Sequence, residues 1–343
     1  MIMVMWNAVN LQSSINGREM IKKTLLLCLT IVLCQSGLAQ EFRKSGTSGF
    51  AFLQIPVSAR YAALGDAGIT LSNVGADGLF VNPALVVLSD AQLSLSATHA
   101  NWYVDTKHQA LGVAYHLRGV GAIGISVINF DFGDIPRTAN YIPGIFEPSA
   151  NETSPFAQQG SYTAGATAFG VSLSRSLTAQ FAFGATLKYV QESIDNYDAS
   201  NVIADIGFLY FTGFHSMRVG AFLQNFGLET QYANEKFKMP QQLRLEISAE
   251  LIGDLASPNR LTLIADAAQA NDADERLHIG AEATLMNAVV LRSGYKFGYD
   301  YENLTLGLGL NFMWSQKRVG LDLAYMNHDL LESTVRTTVN LEL

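Results

Sequence analysis

From about residue 91 onward the chain alternates apolar and polar residues with a period of two, and this constrains the fold more than any other feature. Leu304, Leu306, Leu308, Leu310, Phe312 and Trp314 alternate with Asn303, Thr305, Gly307, Gly309 and Asn311. Leu243, Leu245, Ile247, Ala249 and Leu251 alternate with Gln242, Arg244, Glu246, Ser248 and Glu250. Val335, Thr337, Val339 and Leu341 alternate with Thr334, Arg336, Thr338 and Asn340. Alternation this long is a strand signal, with one apolar face and one polar face. Applied throughout, it gives fourteen segments, near 91–100, 108–117, 120–130, 161–174, 179–192, 201–212, 217–227, 241–252, 259–269, 276–286, 288–298, 303–314, 318–327 and 334–343. Their lengths suit the roughly 9–11 residues, often with overhang, of a tilted transmembrane strand.

The joints between segments carry a second pattern. Leu117-Arg118-Gly119, Ser174–Thr178, Thr212–Ser216, Leu285–Ala288 and Ser315–Lys317 are tight. Asp131–Gly160, Ser193–Ser200, Leu228–Pro240 and Ala270–Glu275 are longer, more polar or richer in turn residues. A transmembrane barrel has this rhythm, with short turns at one end and longer loops at the other. Closure into a barrel also removes the two unpaired sheet edges that lipid does not tolerate. Trp102, Tyr103, Phe130, Phe132, Tyr210, Phe211, Tyr295, Phe297, Tyr299, Phe312, Trp314 and Tyr325 fall near segment ends, where interfacial girdles are expected.

Composition agrees. The 343 residues are 49% hydrophobic and only 15% charged, against about 25% charged in an average soluble domain. That excludes a disordered chain. No run of ~18 apolar residues follows residue 40, which argues against helical spans. A net charge of -8 offers no basic footprint for nucleic acid.

The stretch Thr24–Leu33, preceded by Lys22 and Lys23 and followed by Gly37-Leu38-Ala39-Gln40, has the layout of a secretory signal. The expected organisation is an upstream start-site extension over 1–19, a signal peptide over 20–39, an N-terminal hatch over 40–90 and the barrel over 91–343. Both cysteines, Cys28 and Cys34, fall in the signal. The mature chain then has neither disulfides nor thiolate metal sites.

Residues 42–90 break the alternation. They include Phe52-Leu53-Gln54-Ile55, Ser58-Ala59-Arg60, Ala62-Ala63-Leu64-Gly65-Asp66-Ala67-Gly68 and Asn82-Pro83-Ala84. The last reads as a helix start with Pro in the first turn. About fifty residues before the first strand are too many for a tail and predict a plug inside the barrel or at its mouth. These motifs resemble the N-terminal signature of the PorV/PorQ family, outer-membrane barrels similar in architecture to the FadL fatty-acid transporters. Val81 stands where that family often has an aromatic, and Leu343 where many outer-membrane barrels end in one. The resemblance implies fourteen strands with an N-terminal hatch. It also implies a non-enzymatic role in type IX secretion or surface attachment of cargo. The partners it implies are outer-membrane lipid, cargo proteins with C-terminal sorting domains and other secretion components. The loops Asp131–Gly160 and Leu228–Pro240 would receive the partner, since long structureless loops are usually functional. The competing reading is a FadL-like channel for hydrophobic molecules, with Phe52, Leu53, Ile55, Leu64 and Phe80 beside an apolar pocket. Phe52, Leu53, Ile55, Arg60, Leu64, Phe80, Asn82 and Pro83 are the hatch and lumen candidates.

Other motifs carry less. Gly119, Gly121 and Gly124 satisfy a dinucleotide pattern but lead into a strand, not a helix. Asn271-Asp272-Ala273-Asp274-Glu275 lacks the glycine of a calcium loop and reads as a solvated acidic loop. Asn151-Glu152-Thr153 reads as a plain loop despite its glycosylation sequon. His328 with Ser333, or His278 with nearby hydroxyls, are the possible nucleophilic pairs, and no spacing demands a triad. No catalytic, cofactor or metal residues are therefore assigned. Lys188, Arg244, Glu246, Arg292 and Arg336 fall on polar strand faces and are expected in the lumen, because a lipid-facing charge costs about 2–4 kcal/mol at midplane. There they would line a conduit or hold the hatch, the second being the preferred reading.

Overall fold

The computed structural model describes residues 46–140, 156–232, 235–300, 302–328 and 333–343. The strands are β1 (Leu93–Asn101), β2 (Lys107–Leu117), β3 (Gly121–Asn140), β4 (Phe156–Ser176), β5 (Phe181–Ile194), β6 (Tyr197–Phe211), β7 (Arg218–Gly227), β8 (Thr230–Tyr232), β9 (Glu235–Phe237), β10 (Gln242–Ile252), β11 (Arg260–Ala270), β12 (Arg276–Leu285), β13 (Val289–Phe297), β14 (Glu302–Trp314), β15 (Lys317–His328) and β16 (Thr334–Glu342). All but β8 and β9 close into one antiparallel barrel in chain order. Its seam pairs β1 with β16, from Ser94 opposite Glu342 to Asn101 opposite Val335. The fourteen strands expected from alternation are these fourteen.

The two faces divide as the period requires. Leu304, Leu306, Leu308 and Leu310 point outward and are exposed, while Thr305 between them is buried. Leu243, Leu245 and Ile247 face out; Arg244, Glu246 and Ser248 are buried inside. The outer surface is therefore apolar and the lumen polar, which is the distribution that lipid selects. Among the described residues no helix is long and apolar enough to span a membrane.

Residues before β1 fill the lumen. They form short 3-10 helices at Ala51–Gln54, Gly75–Phe80 and Pro83–Leu88, and one turn of α-helix, α1 (Ala59–Ala62). The Ser58 hydroxyl caps α1 by accepting the Arg60 N–H, and the Asn82 side chain caps the last 3-10 helix through the Ala84 N–H. Propensity alone does not hold helices this short. Burial does, since Ala59, Ala62, Ala63, Leu64, Ala84 and Leu85 lose all exposure.

The loop end departs from expectation in several places. The described residues of the segment Asp131–Gly160 are strand: β3 runs on to Asn140 and β4 starts at Phe156. Register shifts between Asp131 and Asp134 and between Pro136 and Thr138 break the alternation and hide these strands in the sequence. Asn151-Glu152-Thr153 lies outside the described residues, as do residues 1–39. Ser193–Ser200 is also not a long loop. β5 and β6 continue to a two-residue turn, with Asp195 in the left-handed region at φ 55°. Leu228–Pro240 contains the small β8–β9 hairpin. Trp102, Phe130 and Phe132 pack inward against the hatch rather than in an outer girdle, because they lie where the hatch offers apolar partners.

Candidate functional site

The hatch and the wall meet at two kinds of contact. Glycines on the lumen face let the hatch backbone touch the wall. A side chain at Gly294 would put Cβ 2.0 Å from the Gly65 nitrogen, and one at Gly184 would put it 2.3 Å from the Ala84 nitrogen. Gly124, a member of the dinucleotide-like pattern, leaves room for Leu79 in the same way. Polar strand residues supply the second kind. Glu246 accepts the N–H groups of Gly68, Ile69 and Thr70 at 2.6, 3.0 and 2.8 Å, and the Thr70 hydroxyl at 2.6 Å. Successive backbone N–H groups converging on a carboxylate form an anion nest, here with the anion supplied by the wall. Arg244 donates to the Asp66 carbonyl at 2.6 Å and pairs with Asp266 at 3.0 Å. Arg336 donates to the Val57 carbonyl at 2.6 Å.

A charge network crosses the boundary. Arg60 makes a two-point contact with Glu282, Nη2 to Oε1 at 2.7 Å and Nε to Oε2 at 2.9 Å. Glu282 also accepts from Arg292 at 2.8 Å, and Arg292 reaches Asp322 at 2.6 Å. On the other side of α1, Lys296 bridges Asp66 at 2.6 Å and Glu302 at 2.9 Å. Burial by itself raises the Asp66 carboxyl, but the neighbouring Lys296 ammonium brings it below the usual carboxylate range. Asp77 accepts from Ser58 at 2.7 Å and from Ser96 at 3.1 Å. Burial pushes its carboxyl up to about 6, although these hydroxyls work against the rise.

All five lumen charges point inward. Arg244, Glu246 and Arg336 touch the hatch directly and Arg292 acts through Glu282. Lys188 instead pairs within the wall with Asp205, at 2.5 Å. The hatch candidates are also inside. Phe52, Leu53 and Leu64 are buried, and Ile55 and Phe80 pack against the buried clusters. Asn82 donates to the Ile69 carbonyl at 2.8 Å, and Pro83 rests on Gly184. Glu282 is legible from sequence as one of the charges on the polar strand faces, but the wall glycines against which the hatch backbone packs are not singled out by it. Their signal was available: Gly184, Gly207, Gly294 and Gly307 all fall on polar-face positions of strands.

Of the possible nucleophilic pairs, His328 with Ser333 does not form, while His278 does meet a hydroxyl, that of Tyr299. Ser333 hydrogen-bonds Tyr325 at 2.9 Å, whereas His328 contacts Tyr103. His278 is held between Asp266 at 2.6 Å and the Tyr299 hydroxyl at 3.0 Å. Asp272, expected in a solvated loop, accepts from Ser48 and Gln54 of the hatch, so the loop 271–275 serves as a tether. Among the described residues no group of three metal-ligating side chains converges.

Among the described residues, open space lies on both sides of the hatch. Toward the loop end, Leu53, Ile55, Val57 and Phe80 face Ile128 and Phe222 across about 70 Å³, beside Lys188, Arg244 and Arg276. Toward the short-turn end lies a larger, polar chamber of about 560 Å³. Neighbouring residues of α1 face the two spaces: Tyr61 borders the first and Arg60 the second. Ser72–Val74 and Asp77 border the second space and Leu53–Val57 and Leu79–Val81 the first, so the hatch as a whole, α1 included, lies between them.

A closed fourteen-stranded barrel with an apolar outer face and a plugged lumen is a bacterial outer-membrane β-barrel, and solved structures bear out the class. The chain superposes on "CymD monoaromatic hydrocarbon channel" with a TM-score of 0.55 and 12% identity, over 83% of this chain and 96% of that one. The toluene transporter TodX of P. putida gives 0.54 and 12%, again over 83% and 96%. A FadL homologue of Pseudomonas aeruginosa gives 0.51 and 10%, over 84% and 98%. The chain therefore shares the FadL-type fold. No family model matches it, and no curated protein does.

Proposed function

We propose that this protein is a non-enzymatic, FadL-like outer-membrane conduit for small hydrophobic molecules. The apolar compartment at the loop end carries the reading. Phe52, Leu53 and Val57 of the hatch pack there with Ile128, Phe130 and Ile203 of the wall, and Trp102, Phe80 and Phe237 line its margin. The cluster is packed, and the adjoining space of about 70 Å³ is lined by as many polar side chains, among them Lys188, Arg244, Arg276 and His278, as apolar ones, so a hydrocarbon passes only if hatch side chains give way. The hydrocarbon channels of the same fold support the substrate class. Trp102 provides the test. With Trp6 and Trp314 both replaced by Phe, toluene or a medium-chain hydrocarbon should change Trp102 fluorescence saturably, and liposomes carrying the protein should take up the same probe faster than empty ones. Absence of both effects refutes the conduit.

A second reading is favoured by the ribbon of β3 and β4. β2 pairs with β3 only as far as Asp131, and β5 with β4 only as far as Ala164, so both strands outrun their neighbours at the loop end. On this PorV/PorQ-like reading the ribbon receives cargo with C-terminal sorting domains in type IX secretion, and the hatch remains a fixed plug. Deletion of the gene followed by a profile of surface and secreted proteins decides it. Normal surface delivery of such cargo rules the role out.

A further inference from the structure

Among the described residues, the chamber at the short-turn end has one arginine without a carboxylate partner. Its wall and ceiling bring together Arg60, Arg260, Arg292 and Arg318 with Asp77, Glu282, Asp322 and Glu342. Three of the arginines are ion-paired: Arg60 and Arg292 with Glu282, and Arg318 with Glu342 at 3.0 Å. Arg260 has no ion pair among the described residues. Its Nη1 donates to the Ser257 carbonyl at 3.3 Å and to Asn287 Oδ1 at 3.2 Å, which ties it to the two adjoining turns. Its Nε and Nη2 make no hydrogen bond among the described residues.

Thr284 stands directly opposite Arg260 across the β11–β12 ladder. It is buried, it lines the same chamber, and its hydroxyl has no hydrogen-bond partner among the described residues. A buried hydroxyl without a partner costs free energy, as does a half-buried guanidinium without a counter-charge. One oxyanion placed between them would satisfy both. A guanidinium fork matches the oxygens of a carboxylate or phosphate, and a hydroxyl beside it donates to the same group. The turns that frame this corner contribute Leu255, Ala256 and Met286–Ala288.

We propose that Arg260 and Thr284 form a binding site for the carboxylate or phosphate group of a small polar solute entering from the short-turn end. The site is separate from the loop-end compartment and stands whether or not that compartment conducts hydrocarbons.

Calorimetric titration of the full detergent-solubilised chain with inorganic phosphate, and separately with acetate, tests it. Saturable binding of one equivalent of either probe at millimolar concentration is expected. The probe that binds more tightly identifies the group. Arg260→Gln should weaken binding about tenfold or more, the loss of one charge-assisted contact, and Thr284→Val a few-fold. Should Arg260→Gln fail to give a heat-modifiable folded barrel, the wild-type chain still answers. Phenylglyoxal should label Arg260, the tighter probe should protect it, and labelling of the exposed turn residue Arg118 should not change. No saturable binding of either probe, undiminished binding by folded Arg260→Gln, or labelling of Arg260 indifferent to the probe overturns the proposal.

Discussion

The contact between Arg60 and Glu282 gives the sharpest test of how the hatch is retained. Arg60→Ala removes two charge-assisted hydrogen bonds, at 2.7 and 2.9 Å. Glu282 keeps Arg292 at 2.8 Å and is not left uncompensated. The cost is therefore that of lost charged hydrogen bonds, about 2–3 kcal/mol. Glu282→Gln is different. Arg292 still has Asp322 at 2.6 Å, but Arg60 is left buried in the hatch without a carboxylate. Orphaning a buried charge costs about 3–5 kcal/mol. Because the barrel ladder is untouched, both losses fall on the equilibrium between a seated and a displaced hatch. Each ~1.4 kcal/mol multiplies the displaced population by about ten. Protease cleavage within residues 46–90, mapped by mass spectrometry, reads that population when reseating is fast. Cleavage should accelerate in both variants, and more in Glu282→Gln. Unchanged cleavage, or a faster rate in Arg60→Ala than in Glu282→Gln, would refute the assignment of this pair as the latch.

Three further outcomes follow from the same geometry. Asp77 has a folded-state value of about 6 against an ordinary 3.8, so between those values the seated hatch keeps a proton that a displaced one releases, and the Asp77 contribution to seating weakens as pH rises from about 4 to about 6. Asp77→Asn should flatten the slope between about pH 4 and pH 6 in the cleavage assay and strengthen seating at neutral pH by about 1–3 kcal/mol. Gly294→Val should displace the hatch near Gly65 at a cost of at least about 1–3 kcal/mol, visible as faster cleavage at unchanged barrel heat-modifiability. Leu306→Lys on the lipid face should instead lower barrel stability in bilayers by about 2–4 kcal/mol, measured by denaturant unfolding, and leave hatch cleavage unaffected.

The barrel was legible in the sequence because lipid on one side and a polar lumen on the other impose a strict two-residue repeat. Leu304 to Leu310 display it without interruption. Where that double constraint ends, the repeat ends too. Beyond Asp131 bulges shift the register of β3, and from Ser193 to Ser200 the turn-forming Asp195, Asn196, Asp198 and Ser200 outnumber Ile194, Tyr197 and Ala199, so continuing strands read as loops. The hatch was legible as a break in the pattern, and its residues as a signature, but not its anchoring. Arg60 and Glu282 are separated by more than two hundred positions, and only closure of the barrel brings them together. The wall glycines were hidden for another reason. A glycine on a polar face looks like neutral filler until the backbone that presses on it is known, as Ala84 presses on Gly184.

The seam between β1 and β16 has a consequence for how the molecule is made. The cylinder is incomplete until its last strand pairs with its first, so every intermediate is an open, curling sheet. The hatch precedes all of these strands in the chain and is in hand before any of them. The Asp66–Lys296 and Val57–Arg336 contacts join its residues to β13 and β16, among the last wall elements to be synthesised. The plug therefore need not be threaded into a finished pore. The late strands can close around it, with the hatch acting as the form on which the wall is cast.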